Sequence, residues 1–205
     1  MAKSVALPFQ DNLDGLPGIE PEPHDQILPI DPSPDSLPEI LPALRARGDL
    51  PERIAHNDAK IGNVLFDAST GDVLCVVDLD TVMPGLSLHD FGDMVRSMAG
   101  PASEEDTDLA RIAVDLHFFD AVVSGYLEAL GAWLTPVERA HLVTAGQVMT
   151  LEQGIRFLTD FLTGDHYYPT QRPNHNLERC RTQFALFESL RSREAELQQC
   201  VRRRT

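Results

Sequence analysis

Residues 56–67 read HNDAKIGNVLFD, and residues 76–82 read VVDLDTV. The turn cluster ASTGD lies between the two stretches, and both contain short apolar runs, so we predict a β-hairpin over 63–78. The second stretch ends in two carboxylates, Asp78 and Asp80. Taken alone, this pair leaves two chemistries open, a metal ligand or a nucleophile that attacks phosphorus.

The first stretch narrows the choice by the order and spacing of its polar residues. Asp58 precedes Asn63 by five positions, and Asp78 follows Asp58 by twenty. Phosphoryl transfer from ATP needs a carboxylate that takes the acceptor's proton, oxygen ligands for magnesium and a cation for the transferred group. The kinase catalytic loop H-R-D-x-x-x-x-N has the same spacing. Here the loop begins at His56, and Lys60 is well placed to reach the γ-phosphate.

The rest of the chain predicts an α+β, mainly α, architecture. Residues 1–37 are rich in proline and acids and are predicted to form a poorly structured arm. We predict one domain over 38–205, with a small strand cluster followed by a helical bundle. The predicted helices cover about 41–47, 88–98, 104–130 (with Ser103 as N-cap), 135–162 (opened by a capping box of Thr135, Pro136 and Glu138) and 176–199.

Charge and composition exclude several classes of function. The 205 residues carry a net charge of −15, which argues against binding to nucleic acid or to an anionic membrane. The three cysteines have no CxxC spacing and are typical of free thiols in a reducing compartment. There is no apolar run of transmembrane length and no signal-peptide pattern, so a cytoplasmic location is expected.

The sequence resembles the aminoglycoside phosphotransferase and choline-kinase-like superfamily in two stretches, HNDAKIGNVLFD and VLCVVDLDTVMPGLSLHDFGDMVR. Within it, the sequence most resembles the N-acetylhexosamine 1-kinases, which phosphorylate the anomeric hydroxyl of GlcNAc or GalNAc with ATP and Mg²⁺. The likeness continues through MTLEQGIRFLTDFLTGDHYY and HNLERCRTQF. It therefore covers about 40–190 and implies the C-terminal lobe of a protein-kinase-like fold.

The resemblance also implies roles for individual residues. It makes Asp58 the catalytic base that contacts the substrate hydroxyl, and Lys60 a catalytic and nucleotide-binding cation. The magnesium ligands would be Asn63 and Asp78, with Asp80 as a less certain second carboxylate. His56 and Asp93 would be structural residues, and Asp93 would brace the catalytic loop. Two residues on the helical side would bind the sugar: Arg156 and Tyr167.

A lysine-bearing N-terminal β-lobe is not evident in the sequence. Only about fifty residues precede HND, without GxGxxG or a five-strand pattern, and Lys3 is the only lysine among them. We therefore expect the isolated chain to have little or no kinase activity, because positioning supplies most of the catalysis in this chemistry. A complementing chain that carries the missing lobe, or a homodimer, would be the expected partner.

Two other functions are consistent with parts of the sequence. In haloacid-dehalogenase-like phosphatases an apolar strand also ends in Asp-x-Asp, so Asp78 would be a nucleophile and Asp80 an acid/base. That family generally needs a later lysine, and none follows Lys60. The other alternative is a non-catalytic module that retains the sugar pocket without ATP chemistry.

Overall fold

Four short strands and seven α-helices make up the regular structure of residues 37–204, the part of the chain that the computed structural model describes. The strands are β1 (Arg53–Ala55), β2 (Val64–Phe66), β3 (Val73–Val76) and β4 (Met83–Gly85). The helices are α1 (Leu37–Ala46), α2 (Ser87–Met98), α3 (Leu116–Leu130), α4 (Pro136–Ala140), α5 (Leu142–Thr163), α6 (His175–Ser192) and α7 (Glu194–Arg204). The predicted proline-rich arm, 1–37, lies outside the described residues except for Leu37, which begins α1.

The strands form two separate antiparallel pairs. β2 pairs with β3, with Val64 opposite Val76, and this confirms the hairpin predicted over 63–78. β1 pairs with β4, with Ala55 opposite Met83. Within residues 37–204 there is no larger sheet. The strands lead directly into the polar segments, since β1 ends immediately before His56 and β3 ends two residues before Asp78.

The helices enclose the apolar core, in which α5 packs between α2 and α6. Gly146 of α5 allows α2 to approach closely, since a Cβ at this position would lie only 2.8 Å from Val95 Cγ1. Phe91 of α2 is completely buried and its ring centroid lies 4.9 Å from that of Tyr126 in α3. The observed combination of many helices and small antiparallel sheets agrees with the predicted α+β, mainly α, class.

The predicted helix over 104–130 is wrong in its first half. α3 begins only at Leu116, where the Asp115 side chain accepts hydrogen bonds from the backbone N–H groups of His117 and Phe118. Upstream, acidic side chains bond the backbone locally, for example Asp108 Oδ1 with the N–H of Ala110. Such bonds compete with helical hydrogen bonds, so the acid-rich segment forms turns and a short 3₁₀ helix.

Two other predicted helices are each divided in two. The capping box is confirmed, since Thr135 and Glu138 bond each other's backbone N–H groups, but α4 ends at Ala140. The ring of His141 then bonds the carbonyl of Val137 at 2.8 Å, which occupies an acceptor at the end of α4. A second break at Arg193 separates α6 from α7. The predicted helix over 41–47 begins earlier, at Leu37.

No helix of residues 37–204 combines the length and the apolar character that a bilayer crossing requires.

Candidate active site

A cavity of about 560 Å³ lies between the loop that follows β1, helix α2 and the middle of α5. Five of the residues singled out from the sequence line it: Asp58, Lys60, Asp93, Arg156 and Tyr167. The other four, which do not line it, are His56, Asn63, Asp78 and Asp80. The fold thus brings the loop aspartate and the two helical-side residues, about one hundred positions apart in the chain, to one cavity.

Asp58 is held by two neighbours from its own loop. Its Oδ2 atom accepts hydrogen bonds from Lys60 Nζ at 2.7 Å and from Asn63 Nδ2 at 2.9 Å. Asn63 Nδ2 also donates to the Asp58 carbonyl at 2.8 Å, which fixes the five-residue turn. Burial alone would raise the pKa of Asp58, but the bonds from Lys60 and Asn63 outweigh it and hold the pKa below its ordinary value. The carboxylate is therefore ionised at neutral pH, and Oδ1 is the better placed oxygen to accept a further proton.

The loop is braced by Asp90 and not by Asp93, which corrects the role expected for Asp93. Asp90 lies in the first turn of α2, and its two carboxylate oxygens accept the backbone N–H groups of His56 at 2.8 Å and Asn57 at 2.7 Å. Asn57 has a φ of 60°, a left-handed conformation that is uncommon for a residue other than glycine. These two charge-assisted bonds hold the loop in that turn immediately before Asp58.

Asp93 instead belongs to a charge network with Arg96 and Glu104 in the wall of the cavity. Its Oδ1 accepts a bond from Arg96 Nε at 3.1 Å, and Arg96 Nη1 donates to Glu104 at 2.8 Å. Burial raises the pKa of Asp93, against the attraction of Arg96, and the nearby negative charges of Asp58 and Asp90 raise it further. Arg96 is thus the cation that offsets the clustered carboxylates next to Asp58. Nothing in the sequence pattern distinguished Arg96 or Glu104 from ordinary surface residues.

The β2–β3 hairpin joins the backbones of the segments that carry two of the expected magnesium ligands, Asn63 and Asp78. The N–H of Val77 donates to the carbonyl of Asn63 at 2.9 Å, and Asp78 is the residue immediately after Val77. His56 Nε2 lies 3.2 Å from the Val77 carbonyl oxygen, which ties the loop to the end of β3. Asp78 is exposed and left-handed, with φ 60° and ψ 56°. Asp80 is exposed in the 3₁₀ turn Leu79–Thr81.

The chemistry of these donors fits a magnesium ion that is shared with phosphates. Among residues 37–204 no three His, Cys, Asp or Glu side chains converge as a protein cage for a metal. Mg²⁺ does not need such a cage, because it usually keeps waters and binds one or two carboxylates together with substrate phosphates. Both bonds of the Asn63 side chain use Nδ2. Its Oδ1 and the exposed Asp78 carboxylate are therefore the oxygens suited to hold the ion.

The opposite wall of the cavity combines an arginine with a cluster of aromatic rings. Arg156 pairs with Glu152 one helical turn away, at 2.9 Å, and both side chains are about half exposed. Tyr167 is 77% exposed, and its ring centroid lies 4.8 Å from that of Tyr168. Tyr168 packs on Phe157 at 4.7 Å. This wall offers polar hydrogen-bonding groups next to flat apolar faces.

The sequence analysis missed several lining residues of this wall, among them Gln153, Tyr168 and Arg179. Gln153 Nε2 donates to the Tyr168 hydroxyl at 3.1 Å, and Arg179 stacks over the ring of Phe157 at 5.6 Å from its centroid. Gln153 lies three positions before Arg156 on α5, a spacing that places both on one helix face. That spacing was the available signal for Gln153, whereas Arg179 reaches the cavity only through the packing of α6 on α5.

The family model described as APH, phosphotransferase enzyme family, matches residues 7–140. The matched segment covers more than half of the chain and includes the loop with Asp58, the β2–β3 hairpin and the acidic residues of α2. It ends at the last residue of α4, so Arg156 and Tyr167 lie outside it.

Proposed function

The chain belongs to the phosphotransferase enzyme family, and we propose that it carries the acceptor site and catalytic base for transfer of the γ-phosphoryl group of ATP to a sugar hydroxyl. The observation that supports this proposal is the single cavity lined by Asp58, Lys60, Arg156 and Tyr167. In that cavity a base lies across from groups suited to hold a polyhydroxy ligand. Family membership also favours phosphoryl transfer over the alternative in which Asp78 is a phosphatase nucleophile.

In the proposed reaction, Asp58 orients the acceptor hydroxyl and takes its proton as the oxygen attacks the γ-phosphorus. The new P–O bond forms while the bond from phosphorus to the ADP oxygen breaks, and the proton leaves from Asp58 to solvent. Lys60 already contacts Asp58 and would stabilise the charge on the transferred group. Magnesium bound by Asn63 and Asp78 would neutralise the phosphates. Asp90 keeps the loop backbone in the geometry that this reaction needs.

We propose an N-acetylhexosamine, phosphorylated at its anomeric hydroxyl, as the acceptor. A cavity of about 560 Å³ is within the usual size for a small-molecule site. Glu152, Gln153 and Arg156 can exchange hydrogen bonds with ring hydroxyls. Tyr167 presents an exposed aromatic face that suits the apolar face of a sugar ring. The identity of the sugar follows from the sequence resemblance, whereas these contacts support only the broader class.

The decisive experiment measures the sugar phosphate itself. Purified chain is incubated with ATP, Mg²⁺ and either GlcNAc or GalNAc, and the products are separated by mass spectrometry and ³¹P NMR. We expect a sugar 1-phosphate that forms slowly, at a rate far below that of an ordinary kinase, rises in proportion to enzyme and disappears without Mg²⁺. ADP release that does not depend on the sugar would contradict the proposal. Binding heat with sugar, but no sugar phosphate at any enzyme concentration, would support the non-catalytic sugar-binding module instead.

Asp78→Asn is expected to raise the Mg²⁺ concentration for half-maximal activity by at least roughly 10-fold, because a neutral amide replaces a charged oxygen ligand. The matched control is Asp80→Asn, which removes the same charge from an equally exposed position two residues away. A titration of the rate against Mg²⁺ measures both variants. An unchanged Mg²⁺ requirement in Asp78→Asn would contradict its assignment as a ligand. An equal rise in both variants would assign Asp80 to the metal as well.

A further inference from the structure

A buried carboxylate near the end of α5 organises the loop that carries the two cavity tyrosines. Asp160 is only 6% exposed. Its Oδ1 accepts the backbone N–H groups of His166 at 3.0 Å and Tyr167 at 2.9 Å, and its Oδ2 accepts that of Tyr168 at 2.9 Å. Three consecutive N–H groups therefore converge on one side chain. Asp160 itself is not among the residues that line the 560 Å³ cavity.

A fourth donor connects the same carboxylate to the next helix. Asn176, which is completely buried in the first turn of α6, donates from Nδ2 to Asp160 Oδ2 at 2.9 Å and to Asp165 Oδ1 at 2.9 Å. Between the two helices the chain reverses through left-handed residues, Gly164 with φ 104° and Asp165 with φ 57°. The backbone N–H bond from Tyr168 is the main cause that lowers the pKa of Asp160, so it accepts these bonds as an ionised carboxylate.

The loop that Asp160 holds determines where two rings stand in the cavity wall. Tyr168 packs on Phe157 and its hydroxyl is bonded by Gln153, so its ring is fixed from two sides. Tyr167 is fixed less, because 77% of its surface is exposed. The Tyr167–Tyr168 ring contact and the bond from the Tyr167 N–H to Asp160 are therefore the main restraints on that ring.

We propose that Asp160 is a positioning residue that sets sugar affinity through Tyr167 and Tyr168 without touching the sugar. This inference rests on the proposed function for the identity of the ligand, but the restraint on the loop is a property of the chain alone. In Asp160→Asn, an amide would replace the carboxylate that accepts four N–H donors. Only the oxygen of this amide can accept hydrogen bonds, because its nitrogen is itself a donor. The loop would then lose at least one backbone bond and the wall would become mobile.

The test compares Asp160→Asn with Asp165→Asn. Asp160 lies in the last turn of α5 and Asp165 in the loop that follows it, so the two variants each remove one negative charge from neighbouring positions. Both original carboxylates contact Asn176, but Asp165 makes none of the bonds to the tyrosine N–H groups. Hydrogen exchange is measured by mass spectrometry on ligand-free protein, in peptides that span 164–170. We expect exchange at 166–168 to be at least roughly 10-fold faster in Asp160→Asn and near wild type in Asp165→Asn. Unchanged protection in Asp160→Asn would overturn the proposal.

Ligand measurements then separate positioning from a general loss of structure. The Kd for GlcNAc is measured by calorimetry and the KM values for GlcNAc and ATP by kinetics. We expect the GlcNAc values to rise about 10-fold in Asp160→Asn, which corresponds to about 1.4 kcal/mol, while the KM for ATP stays unchanged. An equal rise for both ligands would show a purely structural role and overturn the proposal. If wild-type chain binds no GlcNAc, the proposed acceptor fails, whereas the exchange result still decides the role of Asp160.

Discussion

Asp58→Asn is expected to lower the rate of sugar phosphate formation by about 10²-fold to 10⁴-fold, the usual contribution of a general base. The side chain keeps its size, but it loses the charge that accepts bonds from Lys60 and Asn63 and can no longer take the hydroxyl proton. The rate is measured by quantifying sugar phosphate over long incubations at high enzyme concentration. GlcNAc binding, followed by calorimetry, should change far less than the rate, because Asp58 is one polar contact among several in the cavity.

The control for this variant is Asp72→Asn, which removes a negative charge from an exposed turn of the β2–β3 hairpin and should leave the rate unchanged. A wild-type rate in Asp58→Asn would contradict the assignment of the base.

The pH profile gives an independent check. Because the pKa of Asp58 lies below its ordinary 3.8, the base stays ionised as pH falls from 7 to 5. Its protonation should therefore not lower kcat/KM in that range, and an acid limb near pH 6 that disappears in Asp58→Asn would refute this.

Glu138→Gln is expected to lower the free energy of unfolding by roughly 3 kcal/mol, because it leaves the guanidinium of Arg53 without its counter-charge. Arg53 donates to both Glu138 oxygens, at 2.9 Å and 2.8 Å, and the Ser87 hydroxyl donates to one of them at 2.6 Å. The Glu138 side chain is 2% exposed, whereas that of Arg53 is 28% exposed. The residual exposure of Arg53 places the expected loss near the lower end for broken buried pairs.

Urea unfolding at pH 7 measures this loss. The matched control is Glu52→Gln, which removes the exposed partner of Arg45 and should change stability by less than about 1 kcal/mol. A loss in Glu138→Gln no larger than in this control would contradict the prediction.

Burial would raise the pKa of Glu138, but Arg53, Ser87 and the Thr135 N–H lower it below 4.5. The stability that this group contributes is therefore present above pH 4.5 and is lost as pH falls through the lowered pKa, and Glu138→Gln should abolish that part of the acid dependence.

This ion pair also matters for the candidate site because it anchors the strand that leads into the catalytic loop. Arg53 begins β1, and the loop with Asp58 follows directly after the strand. Ser87 begins α2, which carries Asp90, and Glu138 lies in α4. One buried carboxylate thus joins the strand before the loop to the helix that braces it. A sequence that shows Glu138 only as part of a capping box does not reveal this second use.

Features that depend on near neighbours could be predicted from the sequence alone. The spacing of Asp58 and Asn63, the β2–β3 hairpin and the capping box at Thr135 all involve groups a few residues apart or joined by one turn. Local backbone geometry brings such groups together whatever the rest of the chain does. The resemblance to sugar kinases further predicted Arg156 and Tyr167, which the fold places in the same cavity as Asp58.

The tertiary structure alone decided which acid meets the loop and where α6 ends. Asp90 and Asp93 are three residues apart on α2, so they lie on nearly the same helix face and spacing could not choose between them. The packing of α2 against β1 placed Asp90 at the loop backbone and left Asp93 with Arg96. The break at Arg193 likewise coincides with a contact between distant segments, because Arg193 Nη1 donates to the carbonyl of Val114 at 3.0 Å. Contacts between distant segments are set by how whole elements pack, and short-range spacing carries no information about that.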